Sequence, residues 1–342
     1  MIDVLSLEYE ELKDKIIELG YEKYRAEQIF NFLYKHRIED FSEITVLKKD
    51  VRETLKKKFF IYRFRSVRSV EAEDGTKKYL FELNDGLFIE SVLIPMDKNR
   101  YTICVSTQVG CRMGCKFCAT GRMGFKRNLT VSEIVNQVRY ILKENNLKTA
   151  NVVYMGMGEP LDNYENSIKS IRILIDDKAF AISKRRITLS TCGITPMIEK
   201  LKKDLPYINL AISLHSAIQK KRSLIMPVNE RYPIDEVLKS LKDFPLPRRK
   251  RITFEYVMIK GINDTKYDAK ALLRVMSNFK SKLNIIPLNK HDLLGTKFEP
   301  TPMDRIEEFA DYLRSKGMFV TVRKSKGSNI NAACGMLATK VS

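Results

Sequence analysis

The chain has 342 residues, 44% of them hydrophobic, which is enough for one large α/β unit with a small accessory domain. Its 61 Lys and Arg against 42 Asp and Glu give a formal charge of +19, which indicates a polyanionic partner but does not distinguish RNA from DNA or an anionic membrane surface. No apolar run approaches the ~20 residues of a membrane helix, and the acidic, amphipathic first residues predict no secretory signal. The six cysteines are clustered, so we expect a metal-binding or catalytic protein of the cytoplasm.

Residues 1–62 are predicted to form a small helical domain, because apolar residues recur there with the period of a helix that has one buried face. Ser6 is a candidate N-cap of the first helix and Gly20 its stop. The predicted helices span Leu7–Leu19, Tyr24–Lys35 and Leu47–Lys58. The segment KKKFFIYRFR at 56–65 interleaves cations with aromatic residues. It suits either phosphate contact with base stacking, or a strand with one buried aromatic face.

Residues 63–98 are predicted to form an antiparallel β extension. Three strand-like runs are separated by Asp74-Gly75 and by Asn84-Asp85-Gly86, which are strong hairpin signals. The predicted strands span Val67–Glu73, Lys78–Leu83 and Leu87–Pro95. Glu90 interrupts the apolar faces of the third strand, and an acid there either lies near a site or destabilises the strand.

Over residues 99–342, short β-branched runs alternate with amphipathic helices. The predicted strands span Tyr101–Ser106, Val152–Met155, Ile187–Ser190, Ile208–Ser213, Thr253–Ile259, Leu283–Ile286 and Phe319–Val322. The predicted helices span Val131–Glu144, Asn166–Ile175, Pro233–Lys242, Asp268–Ser277 and Pro302–Lys316. Repeated strand–helix units indicate a parallel sheet with ligands at the carboxyl ends of its strands. Because the units number fewer than eight, we predict a partial TIM-type barrel within an α/β fold.

Three cysteines follow the first of these strands, in the loop Cys111-Arg-Met-Gly-Cys115-Lys-Phe-Cys118. A structural zinc site needs four ligands, usually as two separated pairs, and neither a fourth cysteine nor a histidine lies within the seventy residues that follow the loop. Three cysteines suit a 4Fe–4S cluster that leaves one iron open. That iron can bind the amino and carboxylate groups of S-adenosylmethionine and pass it an electron, which yields a 5′-deoxyadenosyl radical that no side chain can supply.

The C-x₃-C-x₂-C spacing, with an aromatic residue before the last cysteine, resembles the signature of the radical S-adenosylmethionine superfamily, whose core is a partial (β/α)₆ barrel. The segment MGMGEP at 155–160 resembles the turn that binds the methionine amino group in that superfamily. Other polar residues end successive predicted strands, although each alone is more often a turn residue. On this resemblance the cofactor-binding residues are Gly158, Glu159, Ser190, Ser213, Leu214, His215 and Asn289.

From about Glu90 to Leu337 the sequence resembles one family of this superfamily, the RlmN-type adenine-C2 RNA methyltransferases. The segments that carry the resemblance are CVSTQVGCRMGCKFCATG, NLTVSEIVNQV, MGMGEPLDNY, SKRRITLSTCGI, LAISLHS, MPVNERYPI and VRKSKGSNINAACGML. The amino-terminal helices also resemble the accessory RNA-binding domain of the family, though less distinctively.

The resemblance implies a mechanism that uses two molecules of S-adenosylmethionine and two further cysteines. Cys334 corresponds to the cysteine that the first molecule methylates. A radical from the second abstracts hydrogen from that methyl group, and the resulting methylene radical adds to carbon 2 of adenine. Cys104 corresponds to the cysteine that resolves the RNA adduct through a transient disulfide with Cys334, and Glu90 to the acceptor of the carbon-2 proton. From the residues alone, Cys104 and Cys334 are more often buried core thiols, and Cys192 is interpreted as a packing residue.

The substrates implied by the resemblance are an adenine of 23S rRNA in the peptidyl-transferase region and the adenine beside the anticodon of tRNA. The resemblance also implies a flavodoxin or ferredoxin as one-electron donor and a monomer; no membrane association is expected. Four basic runs, each alone a solvated face, together suit an RNA-facing rim. They are Lys184-Arg185-Arg186, Lys220-Lys221-Arg222, Arg248-Arg249-Lys250-Arg251 and Arg323-Lys324-Ser-Lys326.

The sequence departs from the family pattern in two places and leaves two alternatives open. The loop of Cys334 reads KGSNINAACGML where family members resemble RGDDIDAACGQL, and the segment KHDLLGTKFEP after Asn289 lacks the usual proline-rich stretch. One alternative is a Cfr-type enzyme that methylates carbon 8, although Pro160 favours the RlmN type because the sister group resembles Gly-Glu-Ala. The other is a non-catalytic iron–sulfur RNA-binding assembly factor, which would need none of Glu90, Cys104 and Cys334.

Overall fold

The amino-terminal part of the chain folds into a small helical unit. The computed structural model describes residues 1–294, 298–323 and 325–338. The first elements are β1 (Ile2–Asp3), α1 (Tyr9–Glu18), α2 (Tyr24–Asn31), α3 (Lys49–Lys58) and β2 (Phe59–Phe60), with 3₁₀ turns at Val4–Ser6 and Phe41–Glu43 and a π turn at Phe32–His36. The three predicted helices are confirmed. Their buried faces form a core that also includes Val131 and Val135 of the larger unit.

This unit differs from the prediction in its details. The N-cap of α1 is Glu8 rather than Ser6: the Glu8 backbone N–H donates to the Glu11 carboxylate at 2.7 Å, as in a capping box. β1 and β2 pair in parallel, and strands of two residues are too short to show a period in the sequence. Phe59 and Tyr62 are buried, so the base-stacking interpretation of the basic aromatic segment is wrong for these two rings.

Within the described residues, ten of the twelve strands after β2 form one open sheet at the centre of the molecule. The strands after β2 are β3 (Ser66–Glu71), β4 (Lys77–Glu82), β5 (Phe88–Met96), β6 (Arg100–Cys104), β7 (Gln108–Gly110), β8 (Phe125–Asn128), β9 (Asn151–Tyr154), β10 (Ile187–Thr191), β11 (Asn209–Ser213), β12 (Ile252–Met258), β13 (Ser281–Pro287) and β14 (Val320–Val322). The helices after α3 are α4 (Ala119–Arg122), α5 (Val131–Glu144), α6 (Tyr164–Ile175), α7 (Thr195–Asp204), α8 (Gln219–Ile225), α9 (Ile234–Ser240), α10 (Lys266–Met276) and α11 (Met303–Ser315).

The strand order of the large sheet confirms the partial barrel. From one edge to the other the order is β14-β13-β12-β11-β10-β9-β6-β5-β4-β3, and the neighbours from β14 to β6 are all parallel. The two edge strands do not pair with each other, so the barrel stays open. β7 and β8, which the sequence did not predict, form a separate antiparallel pair beside it.

The predicted antiparallel extension is confirmed, and it continues the barrel sheet. β3, β4 and β5 form a meander whose last strand pairs with β6, the first strand of the barrel. Glu90 on β5 and Cys104 on β6 therefore lie on neighbouring strands. In the described residues, no helix is both long enough and apolar enough to cross a membrane.

Candidate active site

The cysteine loop lies at the carboxyl end of the barrel, directly after β7. It begins at Gly110, whose φ of 73° favours glycine and whose added Cβ would lie 1.8 Å from the carbonyl oxygen of Gly124. Backbone hydrogen bonds fix the loop from both sides: Lys116 N–H donates to Ile225 O at 2.9 Å, and Ala119 N–H to Gly335 O at 2.7 Å. The loop is thus held against α8 and against the carboxy-terminal segment.

All three loop cysteines line one cavity of about 160 Å³. Five of the residues predicted to bind the cofactor line it with them: Gly158, Glu159, Ser190, Ser213 and His215. Leu214, also predicted, is buried beside it, and its backbone N–H donates to Glu255 O at 3.0 Å. Asn289 lies in the lining of the neighbouring cavity, and its Nδ2 donates to Cys334 O at 3.1 Å.

The arrangement of the thiols fits a cluster better than a single ion. Within the described ranges, no three His, Cys, Asp or Glu side chains are close enough to hold one metal ion. In a cluster each thiolate binds a different iron, so the sulfurs need only face one cavity, as they do here. Burial raises the pKa of all three thiols, that of Cys115 to about 12, so iron must displace their protons to bind.

Glu159 and His215 are held in one orientation by the backbone around them. Glu159 Oε1 accepts from Leu161 N–H at 3.0 Å and Oε2 from Cys192 N–H at 2.9 Å, while burial raises the pKa of this carboxyl. His215 Nδ1 accepts from Val257 N–H at 3.0 Å. Burial lowers the pKa of His215 to about 3, so the ring is neutral, with its proton on Nε2.

A second cavity of about 210 Å³ adjoins the first, and Cys104 lines it. The two linings share four residues, which are Met155, Ile286, Arg323 and Cys334. Cys334 therefore borders both the cavity of the three loop cysteines and the cavity of Cys104. Both thiols are free. Burial, reinforced by the nearby Cys334, raises the pKa of Cys104 to about 12.

Glu90 lies beside the second cavity, and its carboxylate has two partners. Lys78 Nζ lies 3.1 Å from Oε1, and Ala338 N–H donates to Oε2 at 3.0 Å. Burial raises the pKa of Glu90, whereas Lys78 and the Ala338 N–H lower it. Neither cavity lining, as far as the described residues go, includes Glu90, although Leu337 next to Ala338 lines the second.

The loop that carries Cys334 is tied to the β meander. Gly327 N–H donates to Asp74 Oδ2 at 3.0 Å, and Lys326 Nζ donates to Pro95 O at 2.5 Å. An added Cβ on Gly327 would lie 2.8 Å from Thr76 Cγ2, so the approach of loop and hairpin is close. The loop is thus held by contacts with a hairpin turn and with β5, both from the first third of the chain.

Comparison with known proteins identifies the family. Residues 105–272 match the Radical SAM superfamily, and residues 2–61 match the ribosomal RNA large subunit methyltransferase N-terminal domain. A dual-specificity RNA methyltransferase RlmN from Pelobacter propionicus is 46% identical over 94% of this chain and 91% of its own length. A protein of the same name from Geotalea uraniireducens is 45% identical over 98% of this chain and 96% of its own. This chain belongs to the RlmN family.

A solved structure supports the same assignment. A radical SAM methyltransferase from Sphaerobacter thermophilus superposes with a TM-score of 0.91 at 39% identity, covering 98% of this chain and 99% of its own. RlmN enzymes use a 4Fe–4S cluster and S-adenosylmethionine. The relatives are named as RlmN RNA methyltransferases and not as members of the carbon-8 sister group. Neither the carbon-8 enzyme nor the non-catalytic assembly factor, the two alternatives raised from the sequence, is therefore favoured.

Two residues of this RlmN-family chain lie elsewhere than predicted. Arg222 was assigned to the RNA-facing rim but is fully buried, and it donates to Cys192 O at 2.6 Å and Leu214 O at 3.1 Å. Arg323, assigned to the same rim, lines both cavities. The electrostatic effect of the nearby Cys334 is the main cause that raises the pKa of Arg323. Its position directly after β14, at the carboxyl end of a parallel strand, was the signal available in the sequence. Lys324 of that run lies outside the described residues.

Proposed function

We propose that this RlmN-family chain methylates carbon 2 of an adenine in the peptidyl-transferase region of 23S rRNA and of the adenine beside the anticodon in tRNA. The observation that supports the proposal is the position of Cys334 in the linings of both cavities. A thiol that accepts a methyl group, passes it on and leaves by disulfide exchange needs the cofactor on one side and a second thiol on the other.

The residues at the carboxyl end of the barrel divide into two sets on this proposal. Cys111, Cys115 and Cys118 would hold the cluster. The residues that would bind S-adenosylmethionine are Gly158, Glu159, Ser190, Ser213, Leu214, His215 and Asn289. When bound, the cluster and S-adenosylmethionine would supply the methyl group and the radical. Carbon 2 requires a radical because it has no lone pair with which to attack a sulfonium.

The remaining steps belong to side chains of the chain itself. The Cys334 sulfur accepts the methyl group and carries it to the adenine, and Asn289, bonded to the Cys334 carbonyl, fixes the loop from which it acts. Glu90 accepts the carbon-2 proton, and Lys78 lowers the pKa of its carboxyl against the raising effect of burial. Cys104, as a thiolate, then attacks the Cys334 sulfur, and the S–S bond forms as the bond from that sulfur to the methylene carbon breaks. The methylene carbon takes up a proton to become the methyl group of the released RNA, and the unpaired electron left by the radical addition would return to the bound cluster.

The partners and the division of the chain are part of the same proposal. Residues 1–62 act as the RNA-binding accessory domain, 63–98 as the β extension, and 99–342 as the catalytic unit. The net charge of +19 favours RNA binding by phosphate neutralisation. A flavodoxin or ferredoxin supplies the electron, and the enzyme works as a monomer in the cytoplasm.

The proposal is tested by product analysis with purified RNA. The cluster is reconstituted anaerobically, and the enzyme is incubated with dithionite, S-adenosylmethionine and either protein-free 23S rRNA or tRNA. Mass spectrometry of nuclease digests then identifies the methylated nucleoside. We expect 2-methyladenosine from both RNAs with the unaltered enzyme and none with Cys334→Ala.

Each other result contradicts a defined part of the proposal. Formation of 8-methyladenosine would place the enzyme with the sister group. Methylation of only one RNA would remove the dual specificity. Cleavage of S-adenosylmethionine without any methylated RNA would mean that the altered loop KGSNINAACGML serves another substrate. Methylation by Cys334→Ala would remove Cys334 as the carrier.

A further inference from the structure

Glu255 is a buried acidic residue in the wall of the first cavity, which the three loop cysteines also line. It lies on β12 and is only 5% exposed. Its Oε1 accepts from Asn284 Nδ2 at 3.0 Å, whereas its Oε2 is buried with no hydrogen-bond partner in the described part of the chain. Buried polar atoms are nearly always paired, so this oxygen indicates a partner on a molecule that occupies the cavity.

The side chain and the backbone of Glu255 are both held in place by neighbouring strands. Asn284 lies directly opposite Glu255 on β13, and its own side-chain oxygen accepts from the Thr321 hydroxyl of β14 at 2.5 Å. The backbone carbonyl of Glu255 accepts from Leu214 N–H at 3.0 Å and from His215 N–H at 3.1 Å. These contacts fix Oε1 and the main chain, which leaves Oε2 to bind a ligand.

The sheet separates Glu255 from the residue that would bind the methionine group of the cofactor. Glu159 follows β9, and β10 and β11 stand between that strand and β12. Three strand spacings of about 4.8 Å each separate β9 from β12 by about 14 Å along the curved sheet. S-adenosylmethionine consists of a methionine group and an adenosyl group joined at the sulfur. With the methionine group at Glu159, the adenosyl group is the part that extends toward Glu255.

The adenosyl group offers two kinds of hydrogen-bond donor, which are the adenine amino group and the ribose hydroxyls. The amino group lies beside ring nitrogens that only accept, so an adenine edge pairs well with a side-chain amide and poorly with a carboxylate. Ribose hydroxyls can both donate, and an acidic side chain is their partner in dinucleotide-binding folds. We propose that Glu255 Oε2 accepts hydrogen bonds from the ribose hydroxyls of S-adenosylmethionine.

The proposal rests on the part of the proposed function that places S-adenosylmethionine in the first cavity, and not on RNA methylation. It is tested by binding to the full-length enzyme with its reconstituted cluster. The ligand is S-adenosylhomocysteine, which lacks the sulfonium and therefore cannot be cleaved. Equilibrium dialysis compares it with its 2′,3′-dideoxy analogue and with its 6-deamino analogue. Because the assay contains no RNA, a failure of RNA methylation leaves these affinities unchanged.

The unaltered enzyme is compared with Glu255→Met, which removes the carboxylate but keeps most of the side-chain volume. Thr253→Val is the matched control. Thr253 is also buried and lies on the same face of β12, two residues before Glu255. As far as the described residues go, it lines neither the first nor the second cavity.

We expect the dideoxy ligand to bind about tenfold to hundredfold more weakly than S-adenosylhomocysteine in the unaltered enzyme and in Thr253→Val, as for loss of a hydrogen bond to a charged group. In Glu255→Met the two ligands should bind within about threefold of each other. Equal affinities in the unaltered enzyme would overturn the proposal without recourse to a variant. So would an undiminished preference for the hydroxyls in folded Glu255→Met, or a loss with the 6-deamino ligand that depends on Glu255.

Discussion

Replacement of Lys78 by an uncharged residue leaves the Glu90 carboxylate without the positive charge that pairs with it. Lys78→Met keeps most of the side-chain volume but takes away a charge 3.1 Å from Glu90 Oε1, in a pair whose side chains are 17% and 4% exposed. Breaking a buried ion pair from one side costs about 3–5 kcal/mol, and the partial exposure of Lys78 favours the lower end, about 3 kcal/mol. The variant should unfold at a correspondingly lower urea concentration.

The loss should depend on pH in a defined direction. Burial already raises the pKa of Glu90 and Lys78 lowers it, so the variant carboxyl has a pKa further above its unfolded value. A group of that kind stabilises the fold in its protonated form, and the contribution disappears as the pH rises through the folded pKa. The deficit of Lys78→Met against the unaltered enzyme should therefore be small in acid and largest at high pH.

Catalysis should follow the same titration, because only the ionised carboxylate can accept the carbon-2 proton. In single-turnover assays of 2-methyladenosine release, the acid limb of the pH–rate profile should move to higher pH in Lys78→Met. The matched control is Lys77→Met, since Lys77 pairs at 3.3 Å with the exposed Glu71, and surface pairs contribute at most about 1 kcal/mol. An unchanged acid limb together with an unchanged pH dependence of unfolding would refute the assigned role of Lys78.

Three further predictions concern the cysteines and their supports. Cys104→Ala should accumulate RNA covalently bound through Cys334, visible as a denaturant-resistant band, whereas free methylated RNA would show that another group resolves the adduct. Gly110→Ala should abolish the absorbance of the cluster, because the added Cβ would lie 1.8 Å from Gly124 O. Gly124→Ala is the control: its added Cβ has no atom within 4 Å, so the variant should lose only about 1–2 kcal/mol of stability and keep the cluster. Arg222→Met should leave two buried acceptors, the Cys192 carbonyl and Asn229 Oδ1, without the donor that Arg222 supplies, at about 1–3 kcal/mol each in urea unfolding. Lys220→Met, at an exposed position, should change the stability by no more than about 0.5 kcal/mol.

The sequence was informative wherever a local pattern decides the structure. The alternation of β-branched runs with amphipathic helices predicted the parallel sheet. Helix α5 (Val131–Glu144) has the ends that were predicted, and in the structure Thr130 and Glu133 form a capping box at its start. The spacing of Cys111, Cys115 and Cys118 was enough to indicate that they share a cavity. Such features depend on residues that are neighbours in the chain.

What the sequence did not predict depends on contacts between distant segments. Basic runs look alike whether they face solvent or the interior, so the burial of Arg222 and the inward position of Arg323 were missed. The pairing of β7 with β8 has no periodic signal, since each strand is shorter than the window that a period needs. The role of Lys78 was missed for a related reason: its partner Glu90 lies on the adjacent strand, two residues from the position directly opposite Lys78.

The contacts that close the site have a consequence for the biosynthesis of the enzyme. Gly327 reaches back to Asp74 and Ala338 to Glu90, and the Leu337 carbonyl accepts from the Thr120 hydroxyl. These bonds join residues more than 200 positions apart, so none can form until nearly all of the chain has left the ribosomal tunnel. The barrel and its cysteine loop can thus fold during translation, but the segment that carries Cys334 docks last. On the proposed function, a nascent chain that is still on the ribosome therefore has no docked Cys334 to carry the methyl group.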